Sequence, residues 1–220
     1  MFAKNRCGEI MKKETTYTAN TSSAPSESSS SGVSGRNSGG LKQPFRIIIV
    51  GYMGSGKTTV GKALARKTGI PFYDLDWYIE NRMHKTVKQL FDEYGEERFR
   101  VIERNMLHEV GEFENVIISC GGGTPCFFDN IEYINQQAET VYLKCTPEIL
   151  YKHLKMGKTV RPLLLNKTPE EVKLFINKQL KQREVYYTQA KHTIDVTLMD
   201  SYDKINITVA KLQEAIGMDR

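Results

Sequence analysis

Cysteine is scarce and badly placed for structural duty. The four present are Cys7, Cys120, Cys126 and Cys145. None forms a CxxC pair or lies at a metal-ligand spacing from a histidine, which argues against a zinc site or a disulfide framework. Reduced thiols in a cytoplasmic protein are expected instead. Histidine is equally sparse: His84, His108, His153 and His192 are scattered, and none is assigned a catalytic role. No run approaches the ~18 apolar residues needed to span a membrane. No apolar core of a secretory signal occurs in the first 44 residues, and no internal repeat is present.

Long blocks of positive charge are also missing from most of the chain. The formal net charge is +5 over 220 residues, a balance that invites a nucleic-acid or membrane reading. Residues 1–44 hold Lys4, Arg6, Lys12, Lys13, Arg36 and Lys42 against Glu9, Glu14 and Glu27, so most of the excess lies there. The remainder is nearly balanced, with 25 basic and 23 acidic groups. Neither nucleic acid nor a membrane is expected as a partner.

Residues 20–40 read NTSSAPSESSSSGVSGRNSGG. Such a stretch has too little apolar surface to offset the entropy of ordering. Residues 1–44 are therefore expected to form a disordered Ser/Gly-rich extension, with one domain over 45–220. At 40% hydrophobic residues, that length suffices for one core but not for two full enzyme domains.

Within 45–220, short apolar runs alternate with helical patterns. Strands are expected at Phe45–Val50, Phe72–Tyr73, Val116–Ser119, Thr140–Cys145 and Thr193–Val196. Helices are expected from the turn after Val50 through Thr68, then near 77–83, 87–94, 97–110, 129–136, 147–155, 169–188 and 201–216. The alternation predicts an α/β fold with a mostly parallel sheet. Ligands of such sheets bind beyond the carboxyl ends of the strands. The turns after Val50, Tyr73 and Ser119 then share one working edge.

The first of these turns reads Gly51-Tyr-Met-Gly-Ser-Gly56-Lys57-Thr58 and satisfies GxxxxGK[ST] between a strand and a helix. Its glycines allow backbone N–H groups to converge on phosphate oxygens, and the helix N-terminus adds partial positive charge. Lys57 reaches the β- and γ-phosphates in such a loop, and a hydroxyl at Thr58 suits Mg²⁺. Nucleotide binding follows, but not the reaction. A GTPase should carry NKxD, and the nearest string, Asn166-Lys167-Thr168-Pro169, lacks the aspartate. An extended motor ATPase does not fit the available length. A compact phosphotransferase remains.

Other signals are individually ambiguous. Asp74 and Asp76 after the second strand suit metal and proton transfer, or one caps the next helix. Arg100 suits a bidentate grip on a carboxylate, or forms a surface pair with Glu103. Gly121-Gly122-Gly123 bares backbone for a ligand, or is a plain flexible loop. Arg161 in Arg-Pro-Leu-Leu-Leu165 suits a cationic lid, or a solvated basic loop. Arg183 reads as the wet face of a helix.

Taken in order, these signals resemble the shikimate kinases, across essentially all of 45–220. The resemblance implies a P-loop NTPase fold of the nucleoside-monophosphate-kinase-like group, with a five-stranded parallel sheet flanked by helices. It implies a helical substrate-binding subdomain near 75–106 and a mobile lid near 155–168. The implied reaction is transfer of the ATP γ-phosphoryl to the 3-hydroxyl of shikimate, on the route to chorismate and aromatic amino acids. By the same resemblance Gly54, Ser55, Gly56, Lys57, Thr58 and Thr59 hold the ATP phosphates. Thr58 meets Mg²⁺, and Asp74 reaches it through water. Asp76 polarises or deprotonates the attacking hydroxyl. Arg100 and Arg183 grip the carboxylate, and Glu103 orients Arg100 or a neighbouring hydroxyl. Gly122 offers backbone, and Arg161 closes onto the phosphates. A monomer is expected.

The chain departs from the family pattern twice. Tyr151-Lys-His-Leu-Lys155 offers no arginine to stack on adenine, and His84 stands where a glycine is frequent, a change expected at a helix end. Other readings are a gluconate or nucleoside-monophosphate kinase, or a non-catalytic nucleotide-binding module. Gluconate does not call for two arginines in this arrangement, and no base-recognition pocket for a nucleotide acceptor is evident. Intact Lys57, Asp76 and Arg161 argue against a module without activity.

Overall fold

The computed structural model describes residues 45–156 and 168–218. Its five strands are β1 (Arg46–Val50), β2 (Phe72–Asp74), β3 (Val116–Ser119), β4 (Glu139–Lys144) and β5 (His192–Asp195). The helices are α1 (Lys57–Thr68), α2 (Leu75–Met83), α3 (Val87–Gly111), α4 (Asn130–Gln137), α5 (Pro147–Met156), α6 (Pro169–Tyr187) and α7 (Tyr202–Ala215). A 3-10 turn, Thr124–Cys126, follows the triple glycine.

All strand pairings are parallel, in the order β2-β3-β1-β4-β5. Central strands of such a sheet are covered on both faces, which explains their continuous apolar runs. Ile47, Ile48, Ile49 and Val50 are fully buried, as are Ile117, Ile118, Val141 and Leu143. The chain leaves β1 in one direction and later returns to its other side. The carboxyl end of β1, flanked by β3 and β4, is therefore a topological switch point.

Two close approaches tune this edge. A Cβ on Gly61 would collide with the Phe72 ring, so glycine there lets β2 press against α1. Asp74, at the end of β2, pairs in register with Ser119 of β3. A T-shaped contact between Tyr73 and Phe113, with centroids 5.3 Å apart, ties β2 to the segment beyond α3.

The expected strands Thr140–Cys145 and Thr193–Val196 each begin and end one residue earlier. Parallel pairing recruits Glu139 opposite Ile47 and His192 opposite Val141. The two helices expected at 87–94 and 97–110 form one element broken at Gly95, whose φ of 72° and ψ of 173° are non-helical. Helix α2 starts at Leu75, so Asp76 falls in its first turn. The lid expected near 155–168 lies mostly outside the described residues. Among those described, no helix is long and apolar enough to cross a membrane.

His84 ends α2 in the left-handed region, at φ 53° and ψ 30°, and it is exposed. A residue with a Cβ costs roughly 1–2 kcal/mol in that conformation, and glycine escapes most of the cost. His84→Gly should therefore raise the denaturant midpoint by about 1 kcal/mol of stability. An unchanged or lowered midpoint would contradict strain at this position.

Candidate active site

The loop between β1 and α1 is built to receive an anion. Gly56 occupies the N-cap of α1 at φ 89°, and no side chain caps the helix. Helices α3 and α6, by contrast, close their first turns with capping boxes from Thr86 with Gln89 and Thr168 with Glu171. The exposed amides and dipole of α1 are thus left for a ligand. Lys57 is buried and donates to the carbonyls of Gly51 at 2.9 Å and Tyr52 at 3.1 Å. A 470 Å³ cavity runs over Gly54, Gly56, Lys57, Thr58 and Thr59 to Asp74 and Asp76.

The two aspartates diverge in role. Asp74 precedes α2 but makes no side-chain cap. Its carboxylate accepts a 2.8 Å hydrogen bond from the Thr58 hydroxyl, so the helix-cap alternative fails. Asp76 turns inward. Its Oδ1 lies 2.8 Å from where a Cβ on Gly121 would sit. Burial first, then the nearby Asp74 and Glu103 carboxylates, push Asp76 up to about 6, against the opposing pull of Lys57. It is therefore ionised at neutral pH yet basic enough to accept a proton.

A second cavity of 200 Å³ is lined by Arg100, Arg183, Phe91, Phe99, Glu103 and the triple glycine, among others. Met53, Asp76, Gly121 and Gly122 line both cavities, so the phosphate and cationic compartments meet at Asp76. Arg100 is only 9% exposed, and Glu103 is 1% exposed, so theirs is not a surface pair. Arg100 donates to Glu103 at 2.7 Å and to Glu96 at 3.2 Å. Its guanidinium carbon lies 4.1 Å from the Phe127 ring centroid, and its buried Nε has no protein acceptor. Desolvation of this kind makes a charged donor hungry for an anionic partner.

Glycine makes this crowding possible. A Cβ at Gly123 would stand 2.9 Å from both terminal nitrogens of Arg100, and one at Gly121 would press on Asp76, Thr124 and Glu103. The triplet is therefore a packed wall of backbone, not a plain flexible loop. Arg183 of α6 faces the same cavity, its guanidinium carbon 5.8 Å from the centroid of the Tyr52 ring. Arg161 lies outside the described residues.

Several supporting side chains had no sequence signal. Thr124, fully buried, donates to Glu103 at 2.6 Å. Tyr187 donates to the carbonyl of Gly122 at 2.5 Å. His153 of α5 is hydrogen-bonded through Nδ1 to the carbonyl of Gly54 at 2.9 Å. Cys120 is buried beside the site, where burial holds its thiol protonated.

The shikimate kinase family profile matches residues 53–213, well over half of the chain. A curated shikimate kinase of Bacteroides thetaiotaomicron is 51% identical over 173 residues, covering 79% of this chain and 99% of that protein. This chain belongs to the shikimate kinase family. A solved shikimate kinase from the same organism superposes with a TM-score of 0.78 at 50% identity, covering 80% of this chain and 99% of that one. The shikimate kinase of Acinetobacter baumannii, solved in complex with shikimate, gives 0.68 at 31% identity, covering 80% and 94%. The parallel P-loop architecture is thus that of a shikimate kinase. The five expected strands, helix α1 and the loop Gly51–Thr58 belong to that framework.

Asp76 titrates at about 6 when folded, above its ordinary 3.8. The native state therefore holds its proton more tightly than the unfolded chain, and stability falls as pH rises through that window. Without nucleotide or metal, Asp76→Asn should gain on the order of 3 kcal/mol at pH 8. The gain should vanish below about pH 3, where both states are protonated. A pH-independent difference in unfolding free energy would refute this assignment.

Proposed function

We infer that this shikimate kinase transfers the γ-phosphoryl group of ATP to the 3-hydroxyl of shikimate, yielding ADP and shikimate 3-phosphate. The product then serves the route to chorismate and the aromatic amino acids. The observation that carries the reading is the junction of the two cavities at Asp76. One side offers uncapped helix amides and Lys57 to phosphates. The other offers two arginines to a carboxylate. Shikimate, with one carboxylate and three ring hydroxyls, needs both kinds of partner.

In this proposal Gly54 to Thr59 cradle the phosphates, and Lys57 leaves its carbonyl partners for the transferring group. Asp76 accepts the proton of the 3-hydroxyl as its oxygen attacks phosphorus and the bond to the ADP oxygen breaks. Arg100 and Arg183 hold the carboxylate from two sides, and Gly122 contributes backbone. Glu103, braced by Thr124, orients Arg100. Arg161, on the proposed lid at 155–168, closes onto the phosphates. The proposed acceptor-binding subdomain spans about 75–106.

The residues beside the phosphate loop suit Mg²⁺. Thr58 and Asp74 offer hard oxygen donors, and no group of three or more His, Cys, Asp or Glu among the described residues suits a self-sufficient metal cage. That combination fits an ion that arrives on phosphates and keeps its water. Thr58 would bind it directly and Asp74 through water, and when bound it screens the charge on the phosphates. The buried, unbridged thiols of Cys120 and Cys145 support a cytoplasmic setting.

The deciding experiment is ADP release from Mg²⁺-ATP with shikimate, gluconate or AMP as acceptor. Turnover with shikimate alone is expected, and its absence in a folded, ATP-binding sample would overturn the reading. Asp76→Asn should lower kcat by about 10²–10⁴ while leaving ATP affinity nearly intact. Equal losses in both would remove Asp76 from proton transfer. Arg100→Ala should raise the KM for shikimate by roughly 10–100-fold. An unchanged KM would contradict the carboxylate grip.

A further inference from the structure

The phosphate loop is held from outside by a helix distant in sequence. Gly54, at φ 85°, is seated on α5, where a Cβ would meet the Leu154 side chain at 3.2 Å and the Leu150 carbonyl at 3.5 Å. On the same helix face, the half-buried His153 reaches the Gly54 carbonyl from 99 positions away. Because the partner is a carbonyl oxygen, Nδ1 must carry the proton and donate. The next atom pair completes the arrangement. Ser55 N–H, at the other end of the same peptide unit, donates to the Tyr52 carbonyl at 3.1 Å.

The peptide joining Gly54 and Ser55 is thus gripped at both ends, by an imidazole on one side and by the loop itself on the other. A peptide plane flanked by a glycine rotates easily. When it rotates, the N–H groups around it lose their common focus. Fixing it in advance removes an ordering cost from phosphate binding. His153 also lines the phosphate cavity, together with Gly54, Lys57 and Thr58.

We propose that His153 is a positioning residue for ATP, acting through the Gly54 carbonyl to hold the phosphate loop in its receptive form. The proposal rests on reading the loop as the ATP phosphate site. It does not depend on which alcohol accepts the phosphoryl group. His153 touches the loop and not the reacting atoms, so its effect belongs to nucleotide binding and not to the acceptor.

The chemistry of the donor supplies a specific test. An asparagine at 153 places its amide nitrogen close to the position of Nδ1, whereas glutamine extends toward the position of Nε2. Equilibrium titration with Mg²⁺-ATP, with no acceptor present, should give a dissociation constant raised roughly three- to tenfold for His153→Ala. His153→Asn should return to within about twofold of the parent, and His153→Gln should not. The KM for shikimate should stay unchanged in all three, and thermal unfolding should show that each is folded at the assay temperature. Parental ATP affinity in the alanine variant would overturn the proposal. So would equal defects in the asparagine and glutamine variants, or a matching rise in the KM for shikimate. A parent protein that binds ATP but releases no ADP with shikimate would instead overturn the assigned reaction and leave the titration interpretable.

Discussion

The acceptor half of the site depends on one steric constraint: three consecutive residues with no side chains, Gly121 to Gly123, at the end of β3. Asp76, Glu103 and Thr124 crowd the first of them, and the Arg100 guanidinium lies against the third. Charges packed this closely are costly unless each has a partner. For Glu103 and Arg100 the arrangement answers that demand in sequence. Thr124 donates to Glu103, and Glu103 accepts from Arg100. Phe127 covers the guanidinium face. A side chain at Gly121 or Gly123 would displace a charged group and break this chain of partners.

The phosphate half follows an opposite logic. There the fold leaves groups unfinished. Helix α1 begins without a side-chain cap, while α3, α6 and α7 are capped by Thr86, Thr168 and Ser201. Open amides at α1 are tolerable because its N-terminus lies at the switch point of the sheet, beside the phosphate-loop cavity. Gly61 allows β2 to lie close to α1. That closeness brings Asp74 to Thr58 and sets Asp76 two residues further on, at the boundary of the two compartments. One half of the site is therefore closely packed around paired charges, and the other is open and receptive.

How much of this was readable beforehand depends on the distance over which each feature is encoded. The phosphate loop is contiguous, so Gly51 to Thr58 announces itself. The buried strands are short apolar runs and need no partner to be recognised, although their ends shifted by a residue where neighbouring strands extended the ladder. Asp74 was ambiguous because a helix cap and a metal-side carboxylate look alike in sequence. Only the direction of its side chain, toward Thr58, separates them. Arg183 resembled any charged residue on a wet helix face, since its cavity is assembled from α3, the glycine wall and α6. Tyr187 and His153 gave no signal for the same reason. Their partners, Gly122 and Gly54, are backbone carbonyls 65 and 99 positions away.

Arg100 carries one more implication. Before any acceptor arrives, this arginine already faces two carboxylates, buried Glu103 and the largely exposed Glu96. An incoming carboxylate therefore does not meet a bare cation. It enters an exchange, in which the wetter, longer contact to Glu96 is the one that yields easily. In the proposed grip, attraction to the acceptor would be partly cancelled by the bond given up. On release of the product, the same Glu96 contact would be there to re-form, and the buried charge would not be stranded. The guanidinium thus has a carboxylate beside it whether or not an acceptor is bound.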